Sequence, residues 1–216
     1  MKDLAKQFLS DSERDRVTAA VRDAEKLTAG EIVVMVVSAS YHYPMADVIG
    51  AVLFALPLAL IGTALVGEWL WIGPQNMWLF LGFLTVLFII FHEIVKRVPG
   101  LKRRLISRRE IDEEVEEATV AAFFNQGLYR TRDETGVLVF ISVFEQKVWI
   151  LSDRGIDARV GEGQWEEIVS AIIEGIKQGR QADSICEAVA QIGEILATHF
   201  PVKSDDTDEL KNLIIE

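Results

Sequence analysis

The chain has 216 residues and 24.2 kDa, enough for one good hydrophobic core, and its net charge of −11 with a pI near 4.8 argues against a nucleic-acid-binding surface. A single cysteine, Cys186, excludes an internal disulfide and any cysteine-based zinc site. A mean hydropathy of +0.23 alongside 25% charged residues points to segregation, and the apolar excess lies almost entirely between Val48 and Val95.

The amino terminus, Met1 to Lys6, is polar and has no apolar h-region, which predicts no cleavable signal peptide. Ser10-Asp11-Ser12-Glu13 reads as a capping box, with Ser10 capping a helix and Glu13 reaching back to the cap nitrogen. Val17, Val21, Ala24 and Leu27 mark one face of that helix, and Gly30 suits its exit. Glu31 to Val37 follows, a continuous apolar run of the kind found in strands covered on both faces.

Val48 to Val66 is nineteen residues without a charge, about 28 Å as a helix and close to the thickness of a bilayer core. Pro57 is expected to kink it, which membrane spans tolerate. A second run, Met77 to Phe91, extends to Val95. Between them Gly67, Gly73, Pro74 and Asn76 supply a turn, and Trp69, Trp71 and Trp78 fit an aromatic belt. The alternative, a buried hairpin in a soluble protein, fits two near-span-length runs poorly. A transporter or channel subunit fits no better, because neither uninterrupted run carries a charge.

The turn has no Lys or Arg, whereas Lys96, Arg97, Lys102, Arg103, Arg104, Arg108 and Arg109 crowd fourteen residues after the second run. The positive-inside rule therefore predicts a multi-pass protein of a cytoplasmic membrane, with both termini and the polar domain in the cytoplasm. These seven residues are the expected membrane-surface group, set against anionic lipid headgroups.

Glu110 to Asn125 reads as a helix ended by Gly127, Gly136–Val143 and Lys147–Leu151 as strands of a hairpin, and Trp165–Gln178 and Ala182–His199 as amphipathic helices. Cys186 falls within the apolar pattern of the last helix and reads as core filling. Residues 110–216 hold 9 Lys and Arg against 23 Asp and Glu, a net of −14. The expected organisation is residues 1–45 and 110–203 as two parts of one α/β domain, 46–95 as an inserted membrane hairpin, 96–109 as a basic linker and 204–216 as an acidic tail. Within that tail Ser204 to Glu209 lacks the ligand spacing of a calcium loop.

Leu9-Ser10-Asp11, Glu31 to Val34, Thr135 to Val139, Asp153-Arg154-Gly155-Ile156, Trp165 to Val169 and His199-Phe200-Pro201 stand in an order that resembles the TPM-domain family, most nearly its bacterial membrane-inserted branch. The resemblance spans nearly the whole chain through short motifs, and it implies a three-layer α/β/α sandwich interrupted by the two-helix transmembrane hairpin. It also implies what some relatives do: photosystem II repair in the thylakoid lumen, phosphatase activity, divalent-metal binding, and service as an auxiliary subunit of a membrane receptor. The family's acidic landmarks fall on Asp133, Glu145 and Asp157. Its glycine-aromatic-glycine turn is Asp153-Arg154-Gly155 here, and an aspartate usual a few residues later is replaced in Gly161-Glu162-Gly163.

No phosphate-binding loop, nucleophile elbow or histidine metal motif occurs. Phosphoryl transfer would then need carboxylates holding Ca or Mg and a positive group beside them, which Asp133, Asp153 and Asp157 with Arg154 could supply. The other reading has Asp153 and Asp157 capping turns while Arg154 pairs with one of them. The function expected is a membrane-anchored interaction, assembly or repair module binding lipids and protein partners; the alternative is a divalent-metal-dependent phosphatase.

Overall fold

The computed structural model describes residues 4–131, 134–161, 163–202 and 210–216. Asp133, Glu162 and the acidic stretch 204–209 lie outside them. In chain order the helices are α1 (Leu4–Phe8), α2 (Asp11–Glu25), α3 (Pro44–Trp69), α4 (Met77–Arg97), α5 (Pro99–Arg104), α6 (Arg108–Asn125), α7 (Arg154–Asp157), α8 (Gln164–Lys177) and α9 (Gln181–His199). The strands are β1 (Glu31–Val37), β2 (Gly136–Ser142), β3 (Lys147–Ser152) and β4 (Leu213–Ile215). Two compact units result: residues 42–111 form one, and the segments before and after them form the other.

The α/β unit is built on a four-stranded sheet in the order β3-β2-β1-β4. β1 runs parallel to β2 from Glu31 opposite Gly136 to Val37 opposite Ser142, so the sequence on either side of the inserted segment closes one sheet, as expected. β2 and β3 pair antiparallel through a four-residue turn in which Gln146 takes a left-handed conformation. β1 and β2 are buried along their whole length, whereas β3 alternates. Ile32, Val34 and Val36 with Val137, Val139 and Ile141 form one core with α2, α8 and α9. The intervening residues Val33, Met35, Leu138 and Phe140 are buried too, which is why both central strands read as unbroken apolar runs.

The capping box forms as the sequence implies: the Ser10 amide donates to Glu13 Oε2 at 2.8 Å and the Ser10 hydroxyl to the same oxygen at 2.7 Å. These two bonds hold the Glu13 carboxyl below its ordinary range. α2 meets α9 closely enough that a Cβ on Gly193 would stand 2.8 Å from that of Ala24. Two expectations change. Leu27 is exposed, because α2 ends at Glu25 and its apolar face ends with it. Leu213–Ile215, counted within the acidic tail, is strand β4, paired parallel with Val34–Val36. A three-residue strand is too short to show a period, so local sequence did not reveal it.

The other unit is a helical hairpin. α3 runs unbroken through Pro57 and presents a row of small residues, Ala51, Ala55, Ala59, Thr63 and Gly67, which are buried. Such a row lets helix backbones approach where large apolar side chains are needed on the outside. At the turn a Cβ on Gly67 would meet the Gly73 carbonyl oxygen at 2.3 Å, so no other residue fits there. α3 and α4 are both long and apolar enough to cross a membrane.

Candidate functional site

Asp133 lies outside the described residues; the other carboxylates singled out in the sequence fall at two ends of the sheet. Because β3 is antiparallel to β2, Ser152 stands opposite Val137, and Asp153 and Asp157 follow at the amino end of the parallel strands. There the Asp153 amide donates to the Gly136 carbonyl at 2.9 Å. Asp153 Oδ1 accepts the Arg154 amide at 2.8 Å as the cap of α7, and its Oδ2 is buried without a hydrogen bond. Asp157 accepts from the Ser152 hydroxyl. These are turn-capping roles. The expected pairing does not form: among the described residues Arg154 makes no ion pair with either aspartate. Nor does any group of three Asp, Glu, His or Cys side chains among them come together as a cation site would require, so we derive no step through a metal.

Glu145 lies at the other end, about 17 Å away along β3. It is 1% exposed. Oε1 accepts the Ser40 amide at 3.0 Å, and Oε2 accepts the hydroxyl of Ser142, the last residue of β2. Next to it the Ser38 amide donates to the Glu216 carbonyl at 2.8 Å, while the Ser38 hydroxyl accepts the Ala5 amide at 3.1 Å. The carboxyl ends of parallel strands are where open α/β sheets place ligands. Here, however, a serine beside a carboxylate is sealed from solvent, since Ser142 is also 1% exposed. The pair fastens the loop after β1 to the β2–β3 turn. Sequence reasoning named Glu145 but missed Ser40 and Ser142, although the S-x-x-E spacing of Ser142 and Glu145 was a local signal.

Residues 104–195 match the TPM domain family. The chain carries a TPM domain. A solved structure, the BA42 protein from the psychrophilic bacterium Bizionia argentinensis, is similar in fold, with 23% identity over 96% of this chain and 94% of its own, and a TM-score of 0.58. Comparison with curated proteins finds no match.

The matched stretch of the TPM domain holds α6, β2, β3, α7, α8 and most of α9, and β1 completes the middle of its sheet. Cys186 packs against its core, and burial pushes the thiol up despite the nearby Arg16, so core filling describes it.

The seven basic residues divide. Lys96, Arg97, Arg104, Arg108 and Arg109 are exposed and Arg103 is half-buried. Lys102 is 4% exposed, which removes it from the expected surface group. Its Nζ lies 2.9 Å from Asp47 Oδ2 and donates to the His42 carbonyl at 2.7 Å, while Asp47 Oδ1 is buried without a hydrogen bond. A charge run shows its sign in sequence but not which member turns inward to a partner 55 residues away.

Proposed function

We propose that this protein is a membrane-anchored interaction module. α3 and α4 cross a bacterial cytoplasmic membrane, and the TPM-domain unit stands on its cytoplasmic face to meet protein partners. The observation that carries the reading is the outward face of the hairpin. Only 28% of the apolar window of α3 and 6% of that of α4 are buried. Leu53, Leu60, Ile61, Leu65, Val86 and Ile89 are each more than half exposed, a surface that water does not tolerate and lipid does. Trp69, Trp71 and Trp78 at the turn are all more than three-quarters exposed, as residues at a headgroup belt are.

The turn Gly67–Asn76 lacks Lys and Arg, while exposed Lys96 and Arg97 end α4 and exposed Arg104, Arg108 and Arg109 follow it. That asymmetry supports the cytoplasmic side for both termini and contact of these side chains with anionic headgroups. The interaction role is supported by the site chemistry: the buried Ser142–Glu145 pair and the capping aspartates are occupied with holding turns, and the acidic surface remains for partners.

In cells carrying Cys186→Ala, a cysteine introduced at Gln75 should label with an impermeant maleimide, and one at Glu216 only after lysis. Labelling at Glu216 but not at Gln75 in intact cells overturns the orientation. A stable partner complex recovered from nanodiscs without added metal or nucleotide is the expected result for the interaction role; phosphate-ester hydrolysis without a partner would replace it with the phosphatase reading.

A further inference from the structure

Resting on the interaction reading, we propose that the outer face of α6 is a docking surface for a basic amphipathic helix of a partner protein. Glu113, Glu116, Glu117, Val120, Ala121 and Phe124 recur at alternating spacings of three and one, so they share one face over about 16 Å of helix. All are exposed, and the first five border one shallow, open stretch of the helix surface.

The face is graded along its length. Its first turn is acidic, and its middle is apolar, with Phe124 56% exposed. The Phe124 ring touches that of Tyr129 at 5.3 Å, and the Arg130 guanidinium covers the Tyr129 ring at 5.2 Å, so the patch ends on a positive charge. Packing alone does not ask for this pattern, because α6 buries Val115, Ala122 and Phe123 on its other side.

The complement is a helix whose face carries Lys or Arg over one turn and aliphatic side chains over the next two, laid along this face with its basic turn against Glu116 and Glu117. The −14 charge of residues 110–216 favours such a partner at long range and repels a second copy or an anionic membrane.

The test uses the full chain in neutral phosphatidylcholine nanodiscs and a labelled peptide of about 18 residues, long enough to form the helix, with lysines and leucines in that order. Fluorescence anisotropy should show about tenfold tighter binding than for a scrambled peptide of the same composition. Wild-type binding should strengthen as salt falls; Glu116→Lys with Glu117→Lys should weaken binding about tenfold and flatten that salt dependence, and Phe124→Ala should weaken it about tenfold by removing the anchor. Glu166→Lys with Glu167→Lys, equally exposed on α8, should leave it within about twofold. Equal binding of the scrambled peptide, or equal loss in the α8 variant, overturns the proposal in favour of a net-charge effect. So does a Phe124-dependent dimer in sedimentation. A partner complex from nanodiscs that survives the α6 variants leaves the interaction role standing and removes this surface; absence of any complex removes both.

Discussion

The two units solve opposite packing problems with the same twenty residue types. In the α/β unit the large side chains point inward: Ile32, Leu138, Phe140, Ile172 and Leu196 are all sealed from solvent. In the hairpin the order is reversed, with Ala51, Ala55, Ala59 and Thr63 inside and leucines, isoleucines and tryptophans outside. Water drives the first arrangement by expelling apolar surface. In lipid that drive between helices vanishes, and close backbone approach between small residues takes its place. One chain therefore carries two cores packed in opposite ways.

The largest expected effect comes from separating them. Replacing residues 42–107 with a short Gly/Ser linker keeps α6 intact and should give a water-soluble protein that unfolds cooperatively by circular dichroism. The full chain should need detergent or nanodiscs. β1 and β2 already neighbour each other in the sheet, and shortening the connection between them lowers the closure entropy of their pairing. Non-cooperative melting of the shortened chain would show that the sheet depends on the hairpin for stability, and the contrast between two self-sufficient cores would fail.

Much of this division was legible in the sequence, because it is written in local patterns. A long apolar helix and a doubly buried strand both read as unbroken apolar runs, and length separates nineteen residues from seven. The residues of β1 match the expected span, and β2 and β3 differ from theirs by one residue each. The Ser10–Glu13 box closed as its spacing implied. What stayed hidden depends on distant partners. β4 is strand only because Val34–Val36 lies beside it, Ser40 matters only because Glu145 reaches it, and Lys102 looks like six neighbours until Asp47 is placed. Asp153 and Asp157 were read as candidate cation ligands with Asp133, which lies outside the described residues; their own hydrogen bonds run to the cap of α7 and to Ser152.

The Asp47–Lys102 pair sharpens the comparison from within the hairpin unit, where a charge is costliest. Asp47→Asn leaves the Lys102 ammonium buried without its counter-charge, a loss of about 3–5 kcal/mol for removing one partner of a buried pair. Unfolding of the hairpin by a dodecyl sulfate titration in mild detergent should shift by that amount. Asp47→Asn combined with Lys102→Met should recover most of it, since neither orphaned charge remains. An unshifted single variant would mean that water reaches the pair, and the unit would then be less dry than its apolar surface suggests.

The smallest effect belongs to the start of α2, where the α/β unit meets water. Glu13 is held below its ordinary range first by the Ser10 hydroxyl and then by the Ser10 amide. A carboxyl with a folded pKa below its unfolded value binds its proton less readily in the native state. Its stabilising contribution is therefore complete above the ordinary carboxylate range and fades as the pH falls through the folded value. Glu13→Gln retains an acceptor for the Ser10 amide and removes the titrating charge. The melting temperature of the linker-shortened protein should fall slightly on this substitution at neutral pH, and the gap between the two proteins should close on acidification. A gap that persisted or widened in acid would mean that the carboxylate is not what the cap prefers, and that Ser10 holds the turn by its backbone alone.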